Sequence, residues 1–308
     1  MSDTVKIIDF MGLRKIAAVV SFVFIVISAG SLAFNSLQFG LDFTGGALIE
    51  VEYSEAQPLN EIRATLEGAS YEDVVVQTFG SPTAILVRLA QDHTSTLGDE
   101  VLATLRAGTD QSIELMRSEF VGAQVGDELR EQGGLGMLLA LGVVMLYVAM
   151  RFQIKFSVGA VVALAHDVII VLGIFSLLKL DFDLTVLAAV LAVIGYSLND
   201  TIVVCDRIRE NFRKVRKGTS VEIINLSLTQ TLGRTLVTSL TTLLVLLALF
   251  FFGGEMIHGF ATALMIGVLV GTYSSVYVAS NVLVLMNITR EDLLPPVKEE
   301  VVEGDEMP

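Results

Sequence analysis

Long apolar stretches separated by polar segments dominate the pattern of this 308-residue chain. An α-helix needs about 20 predominantly apolar residues to cross a bilayer. Six stretches approach that length, at 16–34, 134–150, 156–178, 184–205, 236–252 and 260–286. The pattern therefore predicts an α-helical membrane protein with six transmembrane helices. The first stretch has the basic flank of a signal peptide, but its length favours a retained helix.

The polar segment 35–133 between the first two spans has a different pattern. Alternating or β-rich runs predict strands, and runs with helical spacing that end in glycine predict helices. The predicted elements are strands at 47–53, 73–80, 84–90 and 111–122, and helices at 58–68 and 96–108, with a hairpin turn at Ser81-Pro82-Thr83. Their βαββαβ order predicts a small ferredoxin-like α+β domain, and another α+β topology remains open.

The distribution of charge predicts an orientation in the membrane. With residues 1–15 in the cytoplasm, 14 of the 20 lysines and arginines lie on the cytoplasmic side, as the positive-inside rule requires. Segment 35–133 is then exported, and the acidic tail 289–308 is cytoplasmic. The basic loop 206–218 can contact anionic lipid or serve only to set the topology. The net charge of −14 argues against a nucleic-acid partner.

Asp200, beside Asn199, is a costly residue in an otherwise apolar span. It lies five residues inside the predicted end at Cys205, about 8 Å deep at ~1.5 Å per residue. An ionised carboxylate there must bind a proton or find a cation. The candidate cation is Arg234, at the predicted start of span five. The alternative is that Arg234 serves only to set the topology and extends its charged group to the lipid headgroups.

A hydroxyl stripe of Thr238, Thr241 and Thr242 follows Arg234 at helical spacing. Such a face suits another helix or water better than lipid.

Asp167 is a second intramembrane acid, about 18 Å from Lys155 at ~1.5 Å per residue. With its neighbour His166 it predicts a proton relay. The alternative is a protonated Asp167 that serves helix packing through hydrogen bonds.

Sequence motifs for enzymatic chemistry are missing from the chain. We find no phosphate-binding loop, nucleophile motif or zinc-ligand spacing, so we expect no enzyme, no cofactor and no metal site. The single cysteine, Cys205, excludes an intramolecular disulfide. The residues thus predict an ion-driven membrane machine without naming its cargo.

Several stretches resemble the SecF family of the bacterial Sec protein translocase, part of the resistance-nodulation-division superfamily. They run in order along the chain: FGLDFTGG (39–46), SEFVGAQVGDELREQG (118–133), RFQIKFSVGAVVALAHDVIIVLG (151–173), AVIGYSLNDTIVVCDRIRENFRK (192–214), LGRTLVTSLTTLLVLLALFFFGG (232–254) and GFATALMIGVLVGTYSSVYVAS (259–280). The resemblance implies SecD, the SecYEG channel and unfolded preproteins as partners, in the bacterial inner membrane.

The same resemblance implies roles for particular residues. Asp200 and Arg234 match the family's proton-handling pair. Gly40, Asp42, Gly45 and Gly46 match a motif that would form a tight connection between span and exported domain.

The expected function is to drive preprotein export with the proton-motive force. Protonation of Asp200 would weaken its attraction to Arg234, repack the helices and tilt the exported domains. There are two alternatives. The chain is half of a proton-driven small-molecule or lipid exporter, or it is a passive scaffold of the translocase. The coupling ion, H⁺ or Na⁺, remains open.

Overall fold

The computed structural model describes residues 7–71, 74–89, 96–151 and 153–293. Most of the predicted tail 289–308 therefore lies outside the described residues. Six helices in the described part are long and apolar enough to cross a membrane, which confirms the predicted number. They are Met11–Phe34, Gln124–Arg151, Ile154–Leu178, Leu184–Lys214, Ser220–Phe252 and His258–Leu285.

The elements are numbered in chain order. They are α1 (Arg14–Phe34), β1 (Gln38–Phe39), α2 (Leu41–Thr44), β2 (Gly46–Tyr53), α3 (Leu59–Gly68), β3 (Val75–Phe79), β4 (Ser81–Leu89), α4 (Leu97–Ala107), β5 (Ile113–Val121), α5 (Ala123–Arg151), α6 (Ile154–Leu178), β6 (Asp181–Phe182), α7 (Leu184–Lys214), α8 (Ser220–Phe252), α9 (His258–Ser274), a π-helical turn (Ser275–Ala279) and α10 (Ser280–Leu285).

Three membrane helices extend further than their apolar runs predict. Helix α5 begins at Ala123 rather than 134, and α7 continues through 206–214, so most of the predicted basic loop 206–218 is helical. Helix α8 begins at Ser220, where Thr219 and Glu222 form a capping box. Apolar runs mark the part of a helix in lipid, whereas caps mark its ends. Arg234 consequently lies well inside α8 rather than at its start.

The six helices form an inner and an outer set. In α6, α7 and the α9–α10 span, 56%, 50% and 44% of the most apolar window is buried in the protein. In α1, α5 and α8 the corresponding shares are 17%, 6% and 17%. The inner helices thus form the core of the bundle, and the outer ones present apolar side chains to their surroundings.

The segment between α1 and α5 contains a four-stranded antiparallel sheet in the order β3-β4-β2-β5. The alternating residues of β2, among them Ile49 and Val51, pack into one core with residues of α3 and α4. Tyr53 belongs to this core, where burial raises its pKa to about 12. The predicted strands and helices are all present, with ends that differ by a few residues.

The predicted hairpin turn at Ser81-Pro82-Thr83 is shifted. Regular pairing of β3 with β4 ends at Thr78 and Ile85, and Phe79 then pairs with Ser81 around Gly80. Gly80 has a φ of 75°, a conformation that glycine adopts without steric cost. The three predicted turn residues therefore belong to β4.

Candidate functional site

Two carboxylates are buried in the inner helices. Asp167 of α6 is 0% exposed, and Asp200 of α7 is 8% exposed. Acidic side chains are almost never fully buried unless they are paired, so their partners define the chemistry of the site. No cluster of three or more metal-ligating side chains occurs among the described residues.

Asp200 is held by hydroxyl groups from two other helical segments. Thr235 of α8 donates a hydrogen bond to its Oδ1 at 2.7 Å, and Ser275 of the π-helical turn donates to its Oδ2 at 2.7 Å. The carboxyl group thereby ties α7 to both neighbours through bonds whose donors and acceptors depend on its protonation.

The structure does not bring Arg234 to Asp200. Arg234 is exposed on α8, whereas its neighbour Thr235 is 1% exposed and supplies the contact. Successive residues of a helix point about 100° apart, so only one of the two can face α7. Asn199 is exposed as well. Of Asp200, Arg234, Asn199 and Asp167, the two acids face the interior and the other two are exposed.

Asp167 makes three hydrogen-bond contacts. His166 Nδ1 lies 2.8 Å from its Oδ1, so the two neighbouring side chains do meet. Ser197 of α7 and Ser274 of α9 donate to its Oδ2 at 2.5 and 2.7 Å. The predicted pair thus extends into a four-residue network across three helices.

Two consecutive serines join the acids, and sequence reasoning missed both. Ser274 ends α9 and bonds Asp167, while Ser275 opens the π-helical turn and bonds Asp200. Such π turns are rare and occur frequently at functional sites. The available signal was their position, three and four residues after Gly271, which ends the GxxxG stretch GVLVG (267–271).

Glycines bring α9 close enough for these bonds. A Cβ on Gly267 would lie 2.1 Å from Val193 Cγ2, and one on Gly271 would lie 3.1 Å from Ser197 Cβ. The GxxxG spacing therefore packs α9 directly on α7.

The FGLDFTGG segment forms a joint at the end of the bundle where the small domain begins. Gly40 N donates to Phe182 O at 2.9 Å, and Leu184 N, at the start of α7, donates to Asp42 Oδ2 at 3.0 Å. Gly45 and Gly46 follow with φ of 67° and 110°, where other residues would be strained.

The sheet contacts this joint through a side-chain ion pair. Arg88 of β4 lies 2.5 Å from Asp181 Oδ2, and Gln77 of β3 donates to the same oxygen at 3.1 Å. Asp181 belongs to β6, which pairs in parallel with β1. Helix α7 therefore begins at the joint and continues to Asp200.

Comparison with known proteins places these features in a family. A model of "Protein export membrane protein SecD/SecF, C-terminal" matches residues 101–289, and one of the "SecD/SecF GG Motif" matches 30–57. The chain belongs to the SecD/SecF family. The first match includes both buried acids and the second includes the joint.

Curated proteins similar to this chain include SecF subunits. The chain is 52% identical to "Protein translocase subunit SecF" of Pseudomonas aeruginosa over 304 residues, 98% of this chain and 99% of that protein. It is 43% identical to the protein of the same name from Escherichia coli O157:H7 over 307 residues, 98% of this chain and 94% of that protein. These matches support its identification as a SecF subunit.

Two solved SecDF structures share the fold. SecDF from Thermus thermophilus, described as a translocon-associated membrane protein, aligns with a TM-score of 0.84 and 37% identity. SecDF in its "Super-membrane-facing form" aligns with a TM-score of 0.68 and 38% identity. The alignments cover 93% and 91% of this chain but only 39% and 38% of those longer chains.

Proposed function

We propose that this chain works with SecD as the motor subunit that uses the proton-motive force to promote preprotein export through SecYEG across the bacterial inner membrane. The relatives named protein translocase subunit SecF support the export role. The SecDF chain from Thermus thermophilus, of which this chain covers 39%, supports a SecD partner.

The observation that carries the proposal is the environment of Asp200. A charged aspartate at the centre of a membrane helix costs about 2.5–3.5 kcal/mol on insertion scales. In the described structure the contacts of Asp200 are hydroxyl donors rather than a cation. A proton can therefore neutralise this carboxylate, and a membrane potential supplies ~2.3 kcal/mol per charge for every 100 mV.

Protonation changes what the carboxyl group can accept. The ionised form accepts from Thr235 and Ser275 at the same time. Once a proton occupies one oxygen, that O–H is a donor, and the hydroxyl facing it must rotate or withdraw. In the proposed mechanism the hydroxyl withdraws, so loading a proton loosens α7 from α8 or from the π-helical turn, and release of the proton restores both hydrogen bonds.

Arg234 acts from the outer surface in this scheme. It lies on the exposed side of α8 with Thr238 and Thr241, whose hydroxyls bond carbonyls of their own helix. We propose that this surface meets SecD, so that the arginine charge is positioned by the partner. Direct attraction to Asp200 is not required.

The remaining parts follow the same orientation. We propose that both termini are cytoplasmic and that the sheet domain is an exported ferredoxin-like domain, moved by α7 through the joint. Exposed cations near the cytoplasmic end of α7, among them Arg213 and Lys214, are placed to meet anionic lipid headgroups.

Export by cells or inverted vesicles that carry Asp200→Asn in place of the native chain tests the proposal. The matched control is Asp206→Asn, on an exposed residue of the same helix. We expect Asp200→Asn to abolish the stimulation by the proton-motive force while assembly with SecD is retained, and Asp206→Asn to leave export unchanged.

The alternatives predict different outcomes. Unchanged export in an assembled Asp200→Asn complex would support a passive scaffold. Intact preprotein export with loss of small-molecule or lipid efflux would support an exporter. Varying Na⁺ at a fixed proton-motive force distinguishes the two coupling ions.

A further inference from the structure

His166 has a buried nitrogen that the proposed function does not use. The side chain is 3% exposed, and its Nε2 is buried without a hydrogen-bond partner among the described residues. Its other nitrogen, Nδ1, contacts Asp167. Buried polar atoms are nearly always paired, so an unpaired ring nitrogen inside a membrane helix calls for a functional explanation.

Two grooves reach this imidazole from the sides of α1. One, of about 340 Å³, lies between α1, α6 and α9 and includes Tyr273 in its lining. The other, of about 350 Å³, includes Ser21 and Asn281. His166 lines both. A water molecule occupies ~30 Å³ of liquid and needs polar partners. The first groove is lined almost entirely by apolar side chains, whereas the second offers Ser21, Tyr277 and Asn281 beside the ring and can hold water there.

Proton counting shows what Nε2 can do. With one proton shared between Nδ1 and Asp167 Oδ1, the pair carries one negative charge and Nε2 presents a bare lone pair. A second proton fits only on Nε2, because Nδ1 and Oδ1 face each other and Asp167 Oδ2 accepts from Ser197 and Ser274. Its uptake makes the pair neutral.

We propose that His166 and Asp167 form a second proton-binding site, which is loaded at His166 Nε2 from the groove beside α1 that contains Ser21 and Asn281. The step transfers one proton from water to Nε2 and breaks no other covalent bond. The site's role in export rests on the proposed function, whereas its titration does not.

The second site is linked to the first through α9. Ser274 and Ser275 connect Asp167 and Asp200 at the π-helical turn, so movement of that turn changes both carboxylate environments. The other titratable groups near His166 are Tyr273, stacked on its ring, and Tyr277, next to Tyr273 and in the second groove. The groove linings contain no lysine, arginine or further carboxylate.

Two substitutions separate the ring nitrogens. In His166→Asn the amide replaces the Nδ1 donor but nothing replaces Nε2, whereas in His166→Gln the polar end lies near the Nε2 position. If His166 has only a structural role, His166→Asn should preserve export. We expect His166→Asn to assemble with SecD and yet reduce export about a hundredfold, the lower end of the range for loss of a proton-transfer group.

Nitrogen NMR of the full-length chain with ¹⁵N-labelled histidine, in lipid nanodiscs with and without SecD, gives a direct readout. The chain has three histidines, and His166→Gln assigns the signal. We expect Nε2 to change from unprotonated to protonated as pH falls, with a shifted transition in Asp167→Asn. An unchanged state of Nε2 across the pH range that supports export overturns the proposal, and normal export by His166→Asn overturns the site's role in export. If export does not depend on Asp200 but His166 Nε2 still titrates, the proposed function fails while the second proton-binding site stands.

Discussion

Helix α6 of the inner set and helix α8 of the outer set are almost equally apolar but are buried to very different extents. The most apolar windows of α6 and α8 have mean hydropathies of 2.4 and 2.3, yet 56% of the first and 17% of the second are buried. The inner helices contain both buried acids and the serines that bind them. Hydropathy therefore identifies what lies in the membrane, whereas polar residues on a buried face identify what forms the interior.

The difference also separates two kinds of contact. The inner helices pack closely through glycine, and side-chain hydrogen bonds join them to one another and to the buried faces of α1 and α8. The outer ones expose large apolar residues such as Leu139 of α5 and Leu240 of α8. Without water as a competitor, packing and hydrogen bonds specify helix association in lipid, so substitutions in the two sets should have very different effects.

The largest contrast should come from adding one methyl group to a glycine. We expect Gly267→Ala to destabilise the bundle by about 1–3 kcal/mol, because its Cβ would overlap Val193. Gly142→Ala on α5, with nothing within 4 Å of the added atom, should stabilise by up to ~1 kcal/mol through helix propensity. Denaturant unfolding of the full chain in micelles measures both, and a shared sign would contradict the inner–outer division.

A smaller contrast is expected within α8. Thr235→Val removes a hydrogen-bond donor from buried Asp200. We expect it to lower the free energy of unfolding by about 1–3 kcal/mol and to abolish the export that depends on the proton-motive force. Thr241→Val removes only hydrogen bonds to carbonyls of its own helix and should leave the stability of the chain unchanged. Unfolding and export assays on the two isosteric variants check this. Equal effects would show that the Asp200 contact has no special importance.

The exposed surfaces can be assigned by fluorescence, since the chain contains no tryptophan. Leu139→Trp and Leu240→Trp should each change stability by less than about 0.5 kcal/mol, as surface substitutions usually do. Brominated lipid should quench both in the chain alone. With SecD bound, we expect Trp at 240 to be protected and Trp at 139 to stay quenched. If SecD protects neither tryptophan from quenching, the surface that binds SecD does not lie on this part of α8.

The smallest effect concerns the ion pair between Lys155, at the start of α6, and Asp292. The hydrogen bond from Lys155, at 2.6 Å, lowers the pKa of Asp292, and Thr289 N adds to the shift. Because the pKa is lowered in the folded state, the stabilisation is present at neutral pH and is lost as pH falls through that value. Such a solvent-exposed pair contributes below about 1 kcal/mol. Asp292→Asn should remove this part of the pH dependence of unfolding.

The sequence predicted secondary structure well, helix ends less well and tertiary contacts least. The six spans and the βαββαβ order follow from patterns of hydrophobicity that local geometry imposes, and both are present. Helix ends were less accurate, because polar turns of α5, α7 and α8 continue outside the apolar windows.

Tertiary contacts were predicted least well. Arg234 and Thr235 are neighbours in sequence, and only the packing of α8 decides which of them meets Asp200. Likewise, Asp167 was recognisable from its depth, but the three residues that bond it come from three helices. Among these, the adjacent His166 alone could be suggested from spacing.

The small domain is attached to the bundle in three unlike ways. It enters through Gly45 and Gly46, it leaves through Gly122 directly into α5, and it is tied sideways by Arg88 to Asp181 beside the start of α7. Three attachment points fix the orientation of a rigid body. If α5 and α7 shift relative to each other, the domain must either rotate about its glycines or release the ion pair. The Arg88–Asp181 ion pair is therefore a reversible attachment. Its strength limits how far the helices can move before the ion pair breaks and the domain no longer follows them.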